Sequence, residues 1–211
     1  MRNYFMKVVY LVVAVWCSVS IAGVYEDFFK AVELDNAGTV TLLLARGFDP
    51  NTPDPAGQVG LFLALRGGAP KVGRALVEHA DTKIDTPNAA GETPLMMAAL
   101  RGSLEWTQRL VERGAQINRS GWTPLQYAAS GPEPKVVGYL LDRGAAIDAA
   151  ASNGSTALMM AARYGNEDSV TLLLARGADV RLRNQRDMSA ADFARGAERE
   201  ALANRLDALA R

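Results

Sequence analysis

Apolar residues recur along this chain in one short phrase. Val40–Gly47 reads V-T-L-L-L-A-R-G, and Val170–Gly177 reads the same. Three worn copies lie between them, RALVEHAD at 74–81, QRLVERGA at 108–115 and GYLLDRGA at 138–145. Aligned on the last glycine of the phrase, the anchors are Gly47, Ala80, Gly114, Gly144 and Gly177, spaced by 33, 34, 30 and 33 residues. A second phrase keeps the same beat after Gly57, Gly91, Gly121 and Gly154: GQVGLFLAL, GETPLMMAA, GWTPLQYAA and GSTALMMAA. Self-similarity at a fixed period marks a repeat architecture, which decides the fold before any single element is assigned.

Each copy predicts two helices. Thr93 and Thr123 are natural N-caps, because a threonine hydroxyl can accept from an orphan amide of the first turn. Pro94 and Pro124 follow at the first helical position, where proline loses no hydrogen bond. The short helix then carries Leu95, Ala98 and Ala99, or Leu125, Ala128 and Ala129, and the small alanines allow neighbouring helices to approach closely. Gly68, Gly102 and Gly165 mark the turn that follows, with Pro132 in the fourth copy. A second helix carries Val136, Val137, Leu140 and Leu141 and ends at a glycine able to take positive φ. About ten residues rich in Asn, Asp and Gly lead onward. A unit this small cannot bury its apolar face alone, so the copies must stack.

G-x-T-P-L-x-x-A-A followed by L-L-x-x-G-A-D, at a period of about 33, resembles the ankyrin repeat. The resemblance covers nearly all of the chain beyond residue 22. It implies an all-α solenoid of stacked helix-turn-helix units joined by β-hairpin loops. On it, 24–56 is an N-terminal cap repeat, 57–90, 91–120, 121–153 and 154–186 are central repeats, and 187–211 is a C-terminal cap. Four departures stand out. The family's usual histidine is replaced by Phe62, Met96, Gln126 and Met159, so its hydrogen bonding is expected to be absent. The loop from Gly114 to Gly121 is cut short, Ala80 replaces a helix-ending glycine, and Val59-Gly60-Leu61 has lost Thr-Pro.

The first residues are a different kind of text. Arg2 and Lys7 precede an apolar run, Val8–Ala22, and Ser20-Ile21-Ala22 offers small residues before Gly23. This pattern predicts a secretory signal peptide over 1–22, since a spanning helix needs about 20 apolar residues. The alternative is an uncleaved membrane anchor. Cleavage would leave 21 basic against 23 acidic residues and remove Cys17, the only cysteine, so packing alone would hold the remainder. With near-zero net charge and no basic cluster, nucleic acid is not an expected partner. The Arg- and Ala-rich composition looks bacterial, and the expected location is the periplasm or the medium.

Candidate chemistry is sparse. His79 is the single histidine, placed near a helix end where the dipole favours a surface His. No phosphate loop is present, and carboxylates such as Asp49, Asp54, Glu198 and Glu200 are scattered, whereas acid–base catalysis needs groups gathered in one shielded cleft. Asn118 and Asn153 match a glycosylation pattern but read as ordinary loop asparagines. Met96, Met97, Met159 and Met160 read as core filler. No enzyme, metal or cofactor is expected.

The expectation is therefore a monomeric, non-catalytic module that binds a protein partner, as scaffold or adaptor. The alternative is a secreted effector, or an inhibitor or immunity protein acting on an exported enzyme. In proteins of the resembled family the concave face binds, through the residue after the opening glycine and those after Ala-Ala. That transfer names Gln58, Glu92, Trp122 and Ser155 on the loops, with Arg66, Arg101, Arg163 and Tyr164 at the helix ends. Trp, Tyr and Arg are the types enriched at interface hot spots.

Overall fold

The structure is a computed structural model that describes residues 23–211; the expected leader, and with it Cys17, lies outside the described residues. Helices supply its regular structure, and the described residues form no strand, only one isolated bridge between Pro53 and Val59. The inter-repeat loops are thus tight turns and not paired hairpin ladders. The fold divides into two compact units, meeting in sequence at Lys83 and Ile84.

The first unit holds α1 (helical over 23–33), α2 (Ala37–Ala45), α3 (Gly60–Gly67) and α4 (Pro70–Glu78). Asn36 caps α2 by accepting from the Thr39 amide. α1 buries Phe28, Ala31 and Val32, and the Phe28 ring lies 4.4 Å from that of Phe48. The lost Thr-Pro finds its reason here. A Cβ on Gly60 would come within 2.7 Å of the Phe28 ring, so the position held by Pro94 or Pro124 in later copies must be empty to admit Phe28. α4 lacks a closing glycine. It ends at His79 in extended conformation, and Asn51 ties the following loop, donating to the Asp81 carbonyl at 2.8 Å and accepting from the Lys83 amide at 2.7 Å.

The second unit is a double row. α5 (Pro94–Leu100), α7 (Pro124–Ser130), α9 (Ala157–Tyr164) and α11 (Ala190–Arg195) pack successively on one another. α6 (Leu104–Glu112), α8 (Pro134–Asp142) and α10 (Glu167–Ala175) form the second row, and α12 (Glu200–Leu209) closes on α11. Between the rows lies one apolar core that includes Leu125, Leu140, Leu158, Leu173 and Leu206. Leu95, Leu125 and Leu158 are fully buried, as their shared place in the phrase requires. Burying such a side chain stabilises by about 1.5–3 kcal/mol.

The caps correct one expectation. Thr93, Thr123 and Thr156 each accept from the amide three residues on, and the residue replacing histidine reaches back to the threonine amide. Met96 and Met159 do so with Sδ at 3.4 Å, a weak acceptor. Gln126 does it with Oε1 at 2.8 Å, and its Nε2 also donates to the carbonyls of Ala149 at 2.8 Å and Ser155 at 2.9 Å. Hydrogen bonding expected to be lost is therefore kept in this copy, because an amide has both a donor and an acceptor.

Polar side chains link consecutive loops at the repeat period. Asp85 accepts from the Gln116 amide and Asp148 from the Asp179 amide. Asn118 uses both ends of its amide, donating to Gly144 and accepting from Ala146. Where α7 and α9 meet, Gly165 is extended, and a Cβ there would collide with the Ala129 carbonyl. The far end is closed by Arg199, whose Nη1 donates to the carbonyls of Ala161, Ala162 and Gly165 at 3.0–3.1 Å.

Candidate protein-binding site

Three turns of the second unit share one geometry: the amide of the first residue donates to the carbonyl four residues on, in Asn88–Glu92, Ala151–Ser155 and Asn184–Met188. A residue at positive φ sits inside each, Gly91, Gly154 or Asp187. The shortened loop ending at Gly121 shows no such closure among the described residues. Trp122 beside it is half-buried, edge-to-face with Tyr127 at 6.2 Å between centroids.

Around that pair lies a cleft of about 230 Å³, lined by Leu100, Trp122, Gln126, Tyr127, Ser130 and Met160. The repeat register explains the meeting. Tyr127 and Met160 occupy the same place in successive copies, as do Leu100 and Ser130, so the ends of α5, α7 and α9 present one column beside the next. The polar atoms here are already committed. Tyr127 donates to Glu92 Oε1 at 2.7 Å, Asn88 donates to Glu92 Oε2 at 2.8 Å, and Ser130 donates to the Gln126 carbonyl at 2.9 Å. Burial, then the bond to Glu92 and its negative charge, push the Tyr127 phenol far above the usual tyrosine range. The phenol therefore remains a donor and never becomes a nucleophile near neutral pH. What the cleft offers is apolar surface of defined shape.

The expected site residues fall into different surroundings. Glu92 and Trp122 stand at the cleft, and Arg101 follows Leu100 as the C-cap of α5. Arg163 is half-buried, with its guanidinium 5.2 Å from the ring centroid of Tyr164, which is 60% exposed. Ser155 is a correction: it is completely buried. Its amide donates to Asn153, and its carbonyl accepts from both Ala151 and Gln126. Gln58 and Arg66 belong to the first unit. The Gln58 amide donates to Asp54 at 2.7 Å, and Arg66 lies 5.6 Å over the Phe62 ring.

Leu100, Tyr127 and Ser130 were not singled out by sequence reasoning, and Met160 was read as core filler. Met96, Met97 and Met159 are buried as core filler should be, but Met160 is half-buried and lines the cleft. A signal was present in the phrase, since tyrosine stands at 127 where other copies have Leu63, Met97 and Met160. His79 is half-buried, its Nδ1 enclosed without a hydrogen-bond partner among the described residues. Asp49 and Asp54 shape turns by accepting from local amides. Among the described residues no helix is long and apolar enough to cross a membrane.

Comparison with known proteins adds independent findings. The family described as ankyrin repeats (3 copies) matches residues 28–120 and 117–184. The rat ankyrin repeat and SAM domain-containing protein 6 is 29% identical over 141 residues, 65% of this chain and 16% of that protein. The mouse B-cell lymphoma 3 protein homolog is 34% identical over 152 residues, 69% of this chain and 34% of its own length. The chain thus spans a minor part of these relatives. Among solved structures, one similar chain comes from a complex of a predatory endopeptidase of Bdellovibrio bacteriovorus with an immunity protein. It shares 27% identity at a TM-score of 0.72, over 86% of this chain and 97% of that one.

Proposed function

Because this chain belongs to the ankyrin-repeat family, we propose that it is a non-catalytic protein-binding module that restrains an exported endopeptidase. Docking occurs on the face made by α5, α7 and α9, and the module acts in the periplasm or outside a bacterial cell as a monomer. Three observations support this reading. The solved structure that aligns over nearly all of its own length comes from an endopeptidase–immunity protein complex. The charged and then apolar start of the sequence fits export. The observation that carries the site is the cleft beside Trp122, where Tyr127, Glu92 and Asn88 direct their polar atoms at one another, Ser130 donates to the Gln126 carbonyl, and carbon is left facing outward. A site for chemistry would keep an uncommitted acid, base or nucleophile within reach of substrate. The structural neighbour supports the inhibitor reading over the broader role of scaffold or adaptor.

The test is to mix the purified full chain with each exported endopeptidase of its source organism in turn, following residual peptidase activity and co-elution on gel filtration. The reading expects stoichiometric loss of one enzyme's activity with a stable complex. Undiminished activity across the whole panel would overturn it.

A further inference from the structure

Asn153-Gly154 is the one Asn-Gly pair in the chain, and it falls in the Ala151–Ser155 turn. The fold demands the glycine. Gly154 sits at a φ of +80°, and a Cβ there would lie 2.9 Å from the Gln185 amide nitrogen and 3.1 Å from the Asn184 Cα. At Gly91 and Gly121, the corresponding glycines, a Cβ would meet nothing within 4 Å. Close approach of two consecutive turns therefore keeps position 154 without a side chain. Here alone the residue before that glycine is an asparagine; the other copies have Ala56, Ala90 and Ser120.

The pair carries a reaction of its own. A glycine leaves its amide nitrogen unshielded, and an exposed asparagine side chain can swing onto it. Once the Gly154 N–H has given its proton to hydroxide, the nitrogen bonds to Asn153 Cγ. The Cγ–Nδ2 bond breaks, and Nδ2 leaves as ammonia with a proton taken from water. Water then opens the cyclic imide at either carbonyl, giving aspartate or, with the chain rerouted through Cγ, isoaspartate. Each event consumes one water and releases one ammonia, with no change of oxidation state. Asn153 is exposed, but its turn holds the reacting atoms apart. The Gly154 amide donates to the Ala151 carbonyl at 2.8 Å, and Asn153 Oδ1 accepts from the Ser155 amide at 3.0 Å. The Asn153 carbonyl also accepts from the Gln185 amide at 3.1 Å. Attack requires the first two bonds to open together, so the rate follows the population of the locally opened turn.

We propose that Asn153 deamidates spontaneously at a rate set by opening of the Ala151–Ser155 turn, and that the isoaspartyl product unties this turn from Gln185. Two glutamines restrain the opening. Gln126 Nε2 donates to the Ser155 carbonyl and Gln185 Nε2 to the Ser152 carbonyl, each at 2.9 Å. An aspartate at 153 still accepts from the Ser155 amide, so that product keeps the turn. Isoaspartate adds a methylene to the main chain and converts the carbonyl that Gln185 binds into a side carboxylate, so that product does not.

The full chain is held in mildly alkaline buffer, with and without denaturant, and sampled by mass spectrometry of acid-protease peptides. Electron-transfer fragmentation separates isoaspartate from aspartate. Asn153 is expected to react before any other asparagine, and roughly tenfold or more faster in denaturant than in the native chain. Gln126→Met and Gln185→Ala should each raise the native rate by about twofold or more; Gln185 is exposed, so its variant retains the fold even if Gln126→Met does not. Reaction first at another asparagine, equal rates with and without denaturant, or native rates unmoved by both variants would overturn the proposal. The isoaspartyl chain, isolated by chromatography, should exchange the Gln185 amide faster than the parent, while Asn153→Asp exchanges it as the parent does. Parental protection of that amide in the isoaspartyl chain would overturn the assigned consequence.

Discussion

Replacing Gln126 with methionine asks whether the one amide in its column contributes more than the thioethers at 96 and 159. Gln126 is buried and makes three hydrogen bonds, at 2.8, 2.8 and 2.9 Å. Methionine is close in shape, and in the neighbouring copies its sulfur accepts from the threonine amide at 3.4 Å, so the cap should survive in weaker form. The two bonds from Nε2 are lost outright. The carbonyls left behind are not both orphaned: Ala149 is half-buried and can take water, and the Ser155 carbonyl keeps the Ala151 amide. The penalty for abandoned buried acceptors is therefore small, and the cost should lie near the sum of two ordinary bonds, about 1–2 kcal/mol. At this chain length that corresponds to a melting shift of about 2–8 °C. Gln126→Ala should cost more, about 3 kcal/mol, because it also strands the buried Thr123 amide and leaves a cavity. Urea unfolding supplies the global figure. Amide exchange at Ala151 and Gly154, whose turn Gln126 holds, supplies the local one, a needed complement because repeat arrays need not unfold in two states. If Gln126→Met matches the parent within about 0.3 kcal/mol and exchange at both amides is unchanged, the inter-repeat bonds add nothing and the reasoning fails.

Other changes follow from the same architecture. Leu125→Ala should cost about 2–5 kcal/mol in denaturant unfolding, and a loss below about 0.5 kcal/mol would put the repeat register in error. Gly165→Ala should destabilise by about 1–3 kcal/mol or more, since its Cβ meets the Ala129 carbonyl; an unshifted melting temperature would contradict that close approach. Tyr127 should keep its proton well above the ordinary tyrosine range. Its raised pKa means the folded state holds the proton more tightly, so its contribution to stability is intact below about pH 10, the unfolded value, and falls as pH climbs above it. Ultraviolet absorbance of Tyr127→Phe and the parent should then rise by equal amounts between pH 9 and 11, whereas loss of one titrating phenol in the variant would refute the buried bond to Glu92.

Much of the fold could be read from residues acting within their own copy. Thr93-Pro94 and Thr123-Pro124 open helices by local chemistry, and Leu95, Leu125 and Leu158 are buried because each copy needs the next. What escaped the sequence depends on residues a whole repeat away. Gly60 makes sense once Phe28, 32 residues earlier, is seen against it. Gln126 finds its carbonyl partners 23 and 29 residues later. Trp122 and Ser155 hold the same place in the phrase yet differ in burial: Gln126 of the preceding copy binds the Ser155 carbonyl, while the Trp122 ring packs against Tyr127. Column position named Ser155 as a surface residue, and the structure buries it. Tyr127 was overlooked because its neighbours in the column are apolar, and its bond to Glu92 crosses 35 residues.

The central claim, that a protein partner docks on the face of α5, α7 and α9, is tested most directly by one titration. An endopeptidase found to be inhibited by the full chain is titrated calorimetrically with the parent, with Trp122→Ala combined with Arg163→Ala, and with Arg143→Ala. Arg143 caps α8 in the second row, 5.0 Å over the Tyr139 ring. The account predicts that the double variant folds normally and binds at least tenfold more weakly, about 1.4 kcal/mol, while Arg143→Ala binds as the parent does. Parental affinity in the double variant together with weakened binding by Arg143→Ala would contradict it.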